Sequence, residues 1–147
     1  MNIRLATAED IPSLLEIERE SANASHWSSE KYQEIFSSSS PFRIALVHSD
    51  ATEIHGFLIS RTLGGEWELE NIAVSPGARR RGIASLLLQE LLRQAKENKA
   101  SAILLEVRES NLEARSLYRK SGFQESGVRP SYYHAPDETA IIYRLYL

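Results

Sequence analysis

The chain of 147 residues contains no cysteine. That absence excludes disulfides, thiolate metal sites and any reaction that carries a group covalently on a protein thiol. Long apolar runs are missing too. No stretch approaches the roughly 18 apolar residues of a membrane span, and the start MNIRLATAED lacks the apolar centre of a signal peptide, so a soluble cytoplasmic protein with no membrane partner is expected. Positive charge is not in excess. A net charge of −3 argues against a nucleic-acid binder held by a broad basic surface, and lysine is scarce, with 4 of 17 basic residues against 13 arginines. That bias favours planar, bidentate contacts to phosphate or carboxylate. The four histidines, at positions 26, 48, 55 and 134, show neither metal-ligand spacing nor a carboxylate cluster in the sequence, so no metal is expected. What remains, 42% hydrophobic and 25% charged residues with seven glycines and five prolines, fits one compact domain over residues 1–147.

Hydrophobic periodicity divides the chain. Ile3 to Ala6 alternates as a short strand, and Thr7 with Asp10 opens a helix. Ile11, Leu14, Leu15 and Ile17 recur at helical spacing, with Glu16, Glu18, Arg19 and Glu20 on the other face and an end near Asn23. Ser28 or Ser29 caps a second short helix holding Tyr32, Ile35 and Phe36, which the run Ser37 to Ser40 breaks. Strands are expected over Phe42 to His48 and Ile54 to Leu63, and Gly64-Gly65 signals a hairpin into Glu66 to Val74. Ile83 to Ala95 is an apolar helix stopped by Asn98, and Ala102 to Val107 is a continuous apolar run expected to be covered on both faces. Asn111 to Ser121 is a helix ended by Gly122, and two strands follow, near Phe123 to Tyr133 and Thr139 to Leu147. The order is α+β, with a mixed, mostly antiparallel central sheet.

The informative segment runs from Ile72 to Ser85. An apolar strand ends at Val74, a Pro-Gly turn follows, and Arg79-Arg80-Arg81-Gly82-Ile83-Ala84 enters the first turn of the leucine-rich helix. Three cations at a helix N-terminus oppose its dipole unless an anion sits there. The first N–H groups of a helix have no internal partners, and Gly82 and Ala84 leave room for a phosphate. Neither a nucleoside-triphosphate loop nor a dinucleotide-binding glycine pattern is present.

Element order together with Arg79-x-x-Gly82-x-Ala84 resembles the GNAT superfamily of N-acetyltransferases. Asn71-Ile-Ala-Val, Leu105-Glu-Val-Arg-Glu-Ser-Asn and Ala114-x-x-Leu117-Tyr118-x-x-x-Gly122-Phe123, then Tyr132-Tyr133, are similar to its RimI type, the ribosomal-protein-alanine N-acetyltransferases. Ala84 stands where many members have glycine. The resemblance implies a single acetyltransferase domain, a sheet of about six or seven strands with about four helices, and acetyl-CoA as co-substrate. It implies that the backbone of Ile72, Ala73 and Val74 pairs with the pantetheine arm, that Arg79, Arg80, Arg81, Gly82, Ile83, Ala84 and Ser85 cradle the phosphates, and that Asn111 touches the cofactor. The implied partner is the N-terminus of a ribosomal protein beginning with alanine.

Acetyl transfer to an amine needs a neutral amine, a stabilised carbonyl oxygen and a proton for the leaving thiolate. An α-amino group is neutral in roughly a tenth of molecules at pH 7, a lysine amine in about one of two or three thousand. A modest base therefore suffices at an N-terminus. Glu106, near the end of an apolar strand, reads as an ion pair with Arg108 or, by the resemblance, as that base. Tyr118, on an apolar helical face, reads as core packing or as the implied proton donor to the thiolate. Asn111 is also the natural N-cap of its helix.

Glu70 is the rival base. Alternation sends Glu66, Glu68 and Glu70 to one face of their strand and Trp67, Leu69 and Asn71 to the other, so the carboxylates form either a solvated strand face or an acidic seat for a basic peptide. Trp27, Tyr132 and Tyr133 read as core or rim packing or, in the fold that the resemblance implies, as the border of an acceptor groove. Acetylation of a small amine, a lysine or another N-terminus remains an alternative, as does an acyl-CoA-binding module without catalysis. With no cysteine to relay the acetyl group, direct attack in a ternary complex is expected.

Overall fold

The computed structural model describes residues 2–21, 24–37, 42–62, 64–134 and 137–147. The first corner is set by charge and capping: Arg4 grips Asp10 at 2.8 Å, and Thr7 N–H donates to the same carboxylate at 2.8 Å. This joins strand β1 (Asn2–Leu5) through a short 3-10 turn to helix α1 (Ile11–Arg19). Helix α2 (Ser29–Ile35) follows, with Ser28 Oγ accepting from Lys31 N–H. Strands β2 (Arg43–Ser49), β3 (Ile54–Arg61) and β4 (Glu66–Val74) form an antiparallel meander. Helix α3 (Ile83–Glu97), strand β5 (Ala102–Arg108), helix α4 (Leu112–Lys120) and strands β6 (Gln124–Tyr133) and β7 (Glu138–Tyr146) complete the order. The expected positions of Asn23, Leu63 and Ser38 to Ser40 lie outside the described residues.

The seven strands lie in the order β1-β2-β3-β4-β5-β7-β6, and among the described residues β4 and β5 are the one parallel pair. One face carries α3 and α4, where Leu87, Leu88 and Leu91 meet Leu46, Leu58, Ile103 and Leu105. The other carries α1 and α2, where Leu14, Ile17 and Tyr32 meet Val47, Phe57 and Ile59. Burial on both sides explains the unbroken apolar runs of β2 and β3. β5 was expected to be covered in the same way and is not. Ile103, Leu105 and Val107 are buried, whereas Leu104, Glu106 and Arg108 are half-buried, because the α1 and α2 layer packs on β2 to β4.

Two further differences bear on the site. Glu18, expected on the polar face of α1, is 2% exposed, because it stacks one turn beyond Leu14 on the buried stripe. Strict alternation also fails in β4. Ile59 pairs with Asn71 and Ser60 with Leu69, which leaves Glu70 as an extra, bulged residue. Trp67 and Leu69 therefore join the α3 layer, while Ala73 joins the α1 layer and Asn71 turns to Glu18 and Tyr32 on that side.

Candidate active site

β4 and β5 pair over Glu66 to Glu68 with Ala102 to Leu104 and then part. Where they separate, a cleft of about 850 Å3 opens. It brings together Glu70, Ile72, Ala73, Val74, Arg79, Arg80, Gly82, Ile83, Ala84, Ser85, Glu106, Asn111, Tyr118 and Tyr133. Trp27, Glu66, Glu68, Arg81 and Tyr132 are not among its walls.

One end of the cleft is built from backbone. The helical ladder at the start of α3 opens with Leu86 N–H donating to Gly82 C=O, so the preceding N–H groups of Ile83, Ala84 and Ser85 have no helical acceptor. Arg80 and Gly82 both take left-handed backbone conformations, at φ 63° and 75°, and a Cβ on Gly82 would meet nothing within 4 Å. Such a loop turns N–H groups toward an anion. The three arginines are not equivalent, contrary to the simplest reading of the run. Arg79 is spent on protein acceptors, donating to Val74 C=O at 3.2 Å, Ser21 Oγ at 3.3 Å and Glu20 C=O at 3.4 Å. Arg80 lines the cleft, and Arg81 is exposed outside it. Gly56 of β3 seats the start of α3, since a Cβ there would lie 3.0 Å from Ile83 Cγ2 and 3.1 Å from Ala73 C=O.

The other end is built from side chains. Glu106 Oε1 lies 3.2 Å from Arg129 Nε, and Glu106 Oε2 is buried without a hydrogen-bond partner. The ion pair thus runs to β6. Arg108, the partner expected from sequence, pairs with Glu138 at 3.4 Å and stacks over the Tyr133 ring at 4.4 Å. Tyr118 is 5% exposed, edge-on to Phe123 at 5.9 Å and tilted on Tyr143 at 6.1 Å, and burial holds its hydroxyl well above the usual phenol range. Burial, with Glu106 adding to it, pushes Tyr133 up to about 12. Asn111 caps α4, accepting from Ala114 N–H at 3.2 Å, and also faces the cleft.

The acidic row of β4 is compensated by arginine, which corrects the picture of three open carboxylates. Glu66 pairs with Arg144, and Glu68 lies 3.6 Å from Arg61. Glu70 receives Arg43 Nε at 2.7 Å and Nη2 at 3.2 Å, with Arg61 Nη2 at 3.2 Å as well. Both oxygens of Glu70 are thereby engaged by guanidinium groups. Among the two rival bases, the bare buried oxygen belongs to Glu106. Trp27 packs on Tyr32 at 5.7 Å with Lys31 over its ring, in the α1 and α2 layer. Tyr132 lies against Tyr133 at 5.2 Å.

Residues to which sequence reading assigns no functional role tie β4 to the α1 and α2 layer beside the cleft. Asn71 Nδ2 donates to Glu18 Oε1 at 2.6 Å and to Tyr32 Oη at 3.2 Å, and Asn71 Oδ1 accepts from Ser25 N–H at 3.3 Å. Trp27 N–H reaches the same Glu18 oxygen at 3.2 Å. A glutamate at helical spacing from Leu14 was the available signal. The β2–β3 turn also gathers Asp50 and Glu53 around His55, at 2.8 Å and 3.6 Å, a carboxylate cluster that spacing alone does not reveal.

Unpaired N–H groups at one end of a cleft and a half-satisfied carboxylate with a buried phenol at the other suit a group-transfer enzyme that uses an anionic carrier. The chain belongs to the acetyltransferase (GNAT) family, whose pattern matches residues 11–123. It is 39% identical over 105 residues to the ribosomal protein bS18-alanine N-acetyltransferase of Haemophilus ducreyi, covering 69% of this chain and 72% of that protein. To the enzyme of the same name from Salmonella typhimurium it is 32% identical over 145 residues, 97% of this chain and 95% of the other. The crystal structure of the ribosomal-protein-S18-alanine N-acetyltransferase from Escherichia coli superposes with a TM-score of 0.87 at 29% identity, covering 99% of this chain and 92% of that one. The expected α+β arrangement, a mostly antiparallel sheet of about six or seven strands with about four helices, is the fold observed, with seven strands and four α-helices among the described residues.

Proposed function

We propose that this N-acetyltransferase moves the acetyl group of acetyl-CoA to the N-terminal α-amino group of a ribosomal protein beginning with alanine, by direct attack in a ternary complex. The observation that carries the reading is the parting of β4 from β5, which leaves Glu106 and Tyr118 facing the same cleft as the open N–H groups of α3. The shape and chemistry of the cleft suit the carrier. Its diphosphate would lie on the N–H groups of Ile83, Ala84 and Ser85 with Arg80 beside it, and its pantetheine amides along the strand edge of Ile72 to Val74, as an added strand does. Acetyl-CoA supplies an activated thioester. Glu106 removes one proton from the acceptor ammonium so that the amine attacks the thioester carbonyl, and N–H groups near Val74 donate to the acetyl oxygen. The C–S bond breaks as Tyr118 gives a proton to the sulfur, and the second proton that the nitrogen sheds in forming the amide restores the phenol. A buried phenol gives up its proton reluctantly, so Tyr118 stays protonated until a thiolate is formed beside it.

Free thiol released from acetyl-CoA, measured across a panel of acceptors, tests this. The expected result is turnover on alanine-initiated peptides well above that on lysine side chains blocked at the N-terminus. Turnover on polyamines or lysine side chains alone would assign a different acceptor. Saturable acetyl-CoA binding with no turnover on any amine would make the chain a binding module.

A further inference from the structure

Glu106 is half satisfied. One oxygen faces a guanidinium at 3.2 Å, while the other is buried and receives no hydrogen bond. A carboxylate 13% exposed ordinarily finds donors for both oxygens, because an unmet buried acceptor costs about 1–3 kcal/mol. The donor it does have is loosely mounted. Arg129 is 54% exposed and lies on β6, a strand at the edge of the sheet whose first nine residues are exposed. Its guanidinium rests over the Tyr132 ring at 5.2 Å. Between Arg129 and Tyr133 the register with β7 breaks, and Ser131 within the break has φ 53°. The guanidinium can therefore leave Glu106 without disturbing a ladder of strand hydrogen bonds. Other elements also present charged or titratable groups to Glu106, namely Glu68 from β4 and Tyr133 from β6, while its register partner on β7 is the apolar Ile142.

We propose that Arg129 occupies the seat of the acceptor's α-ammonium, and that the acceptor binds by displacing it. This rests on the reading of Glu106 as the residue that receives the amine. An α-ammonium carries three donors, so it can satisfy Oε1 in place of the guanidinium and also serve the bare Oε2, which Arg129 leaves without a partner. That difference favours the exchange. The displaced guanidinium retains the Tyr132 face as a resting place. Arg129 is thus a specificity determinant. Only an acceptor that brings its own cation can take the seat, and an N-acylated peptide has nothing to exchange for the guanidinium.

Titration calorimetry with an alanine-initiated peptide amide, in the presence of CoA, tests the seat without relying on turnover. Arg129→Gln removes the competitor and is expected to tighten peptide binding about two- to fivefold, the span of a half-exposed ion pair. Arg129→Lys keeps a cation and should return the affinity toward that of the parent. The N-acetylated peptide should gain nothing from either change, and in a Glu106→Gln background Arg129→Gln should no longer tighten binding. Weaker or unchanged binding by Arg129→Gln overturns the proposal, as does no detectable binding by both forms. If Glu106→Gln turns over at the parent rate while Arg129→Gln still tightens binding, the base lies elsewhere and the seat stands.

Discussion

The two ends of the cleft are built from different materials. At the α3 end the groups that face the cleft are mainly backbone, the N–H groups of Ile83 to Ser85 and the strand edge of β4, held by Gly56 beneath and Arg79 across. At the β6 end they are side chains from distant parts of the chain, with Glu106 against Arg129 and Glu70 between Arg43 and Arg61. A backbone cradle suits what does not vary, on the proposed reading the carrier's diphosphate and its pantetheine amides. A set of charged side chains can be exchanged to suit an acceptor. The mixed construction lets one fold keep its carrier while changing its acceptor.

If that division is right, substitutions at the two ends should fail differently. The largest effect belongs to the chemistry where the ends meet. Tyr118→Phe removes the proposed proton donor without removing the ring that packs on Phe123 and Tyr143, and kcat should fall about 100-fold with little change in KM for acetyl-CoA. A loss confined to KM would return Tyr118 to the core. Gly56→Ala attacks the backbone end, since its Cβ would press on Ile83 and on Ala73 C=O. Moving the start of α3 should raise KM for acetyl-CoA about three- to tenfold and leave the affinity for peptide unchanged, whereas Arg80→Ala, which removes one exposed cation, should raise the same KM only about twofold. Equal effects of Gly56→Ala on both substrates would break the comparison.

The smallest effect concerns His48, which lies beside His55 at 5.9 Å and has a buried Nδ1 without a partner. Burial first, then His55 and Arg81, hold its pKa below the ordinary 6.5. The unfolded chain therefore takes up this proton before the folded one. Its contribution to stability is complete above about pH 6.5 and is lost as the pH falls below that value. The thermal midpoint should drop by a few degrees between pH 7 and pH 5, and His48→Phe should flatten that part of the curve. An unchanged slope in His48→Phe would assign the acid sensitivity to other groups.

Legibility in the sequence follows the same division. The α3 end is local: strand, turn, arginines, glycine and helix lie within residues 72–85, so their spacing already implied an anion on the helix N-terminus. Cap and stop residues were legible for the same reason, with Ser28, Asn98 and Asn111 at their expected positions. The β6 end depends on tertiary pairing. A single bulged residue, Glu70, moves Asn71 to the face opposite Leu69, and period-two alternation has no means of announcing it. From sequence Glu106 read either as the base or as an ion pair with Arg108 on its own strand, and the ion pair it makes is with Arg129 of β6, brought alongside through β7. Arginine pairing likewise altered the reading of the acidic row, which from sequence resembled an open seat for a basic peptide.

On the proposed reading, the bare, buried oxygen of Glu106 makes it the base at the point where the two ends meet. The pH dependence of kcat for the parent and for Glu106→Gln, on an alanine-initiated peptide, measures this directly. Glu106→Gln should lose about tenfold near pH 7, where most α-amino groups are still protonated, and the loss should narrow above about pH 8, where the amine is already neutral without help. Rates matching the parent at every pH would contradict it.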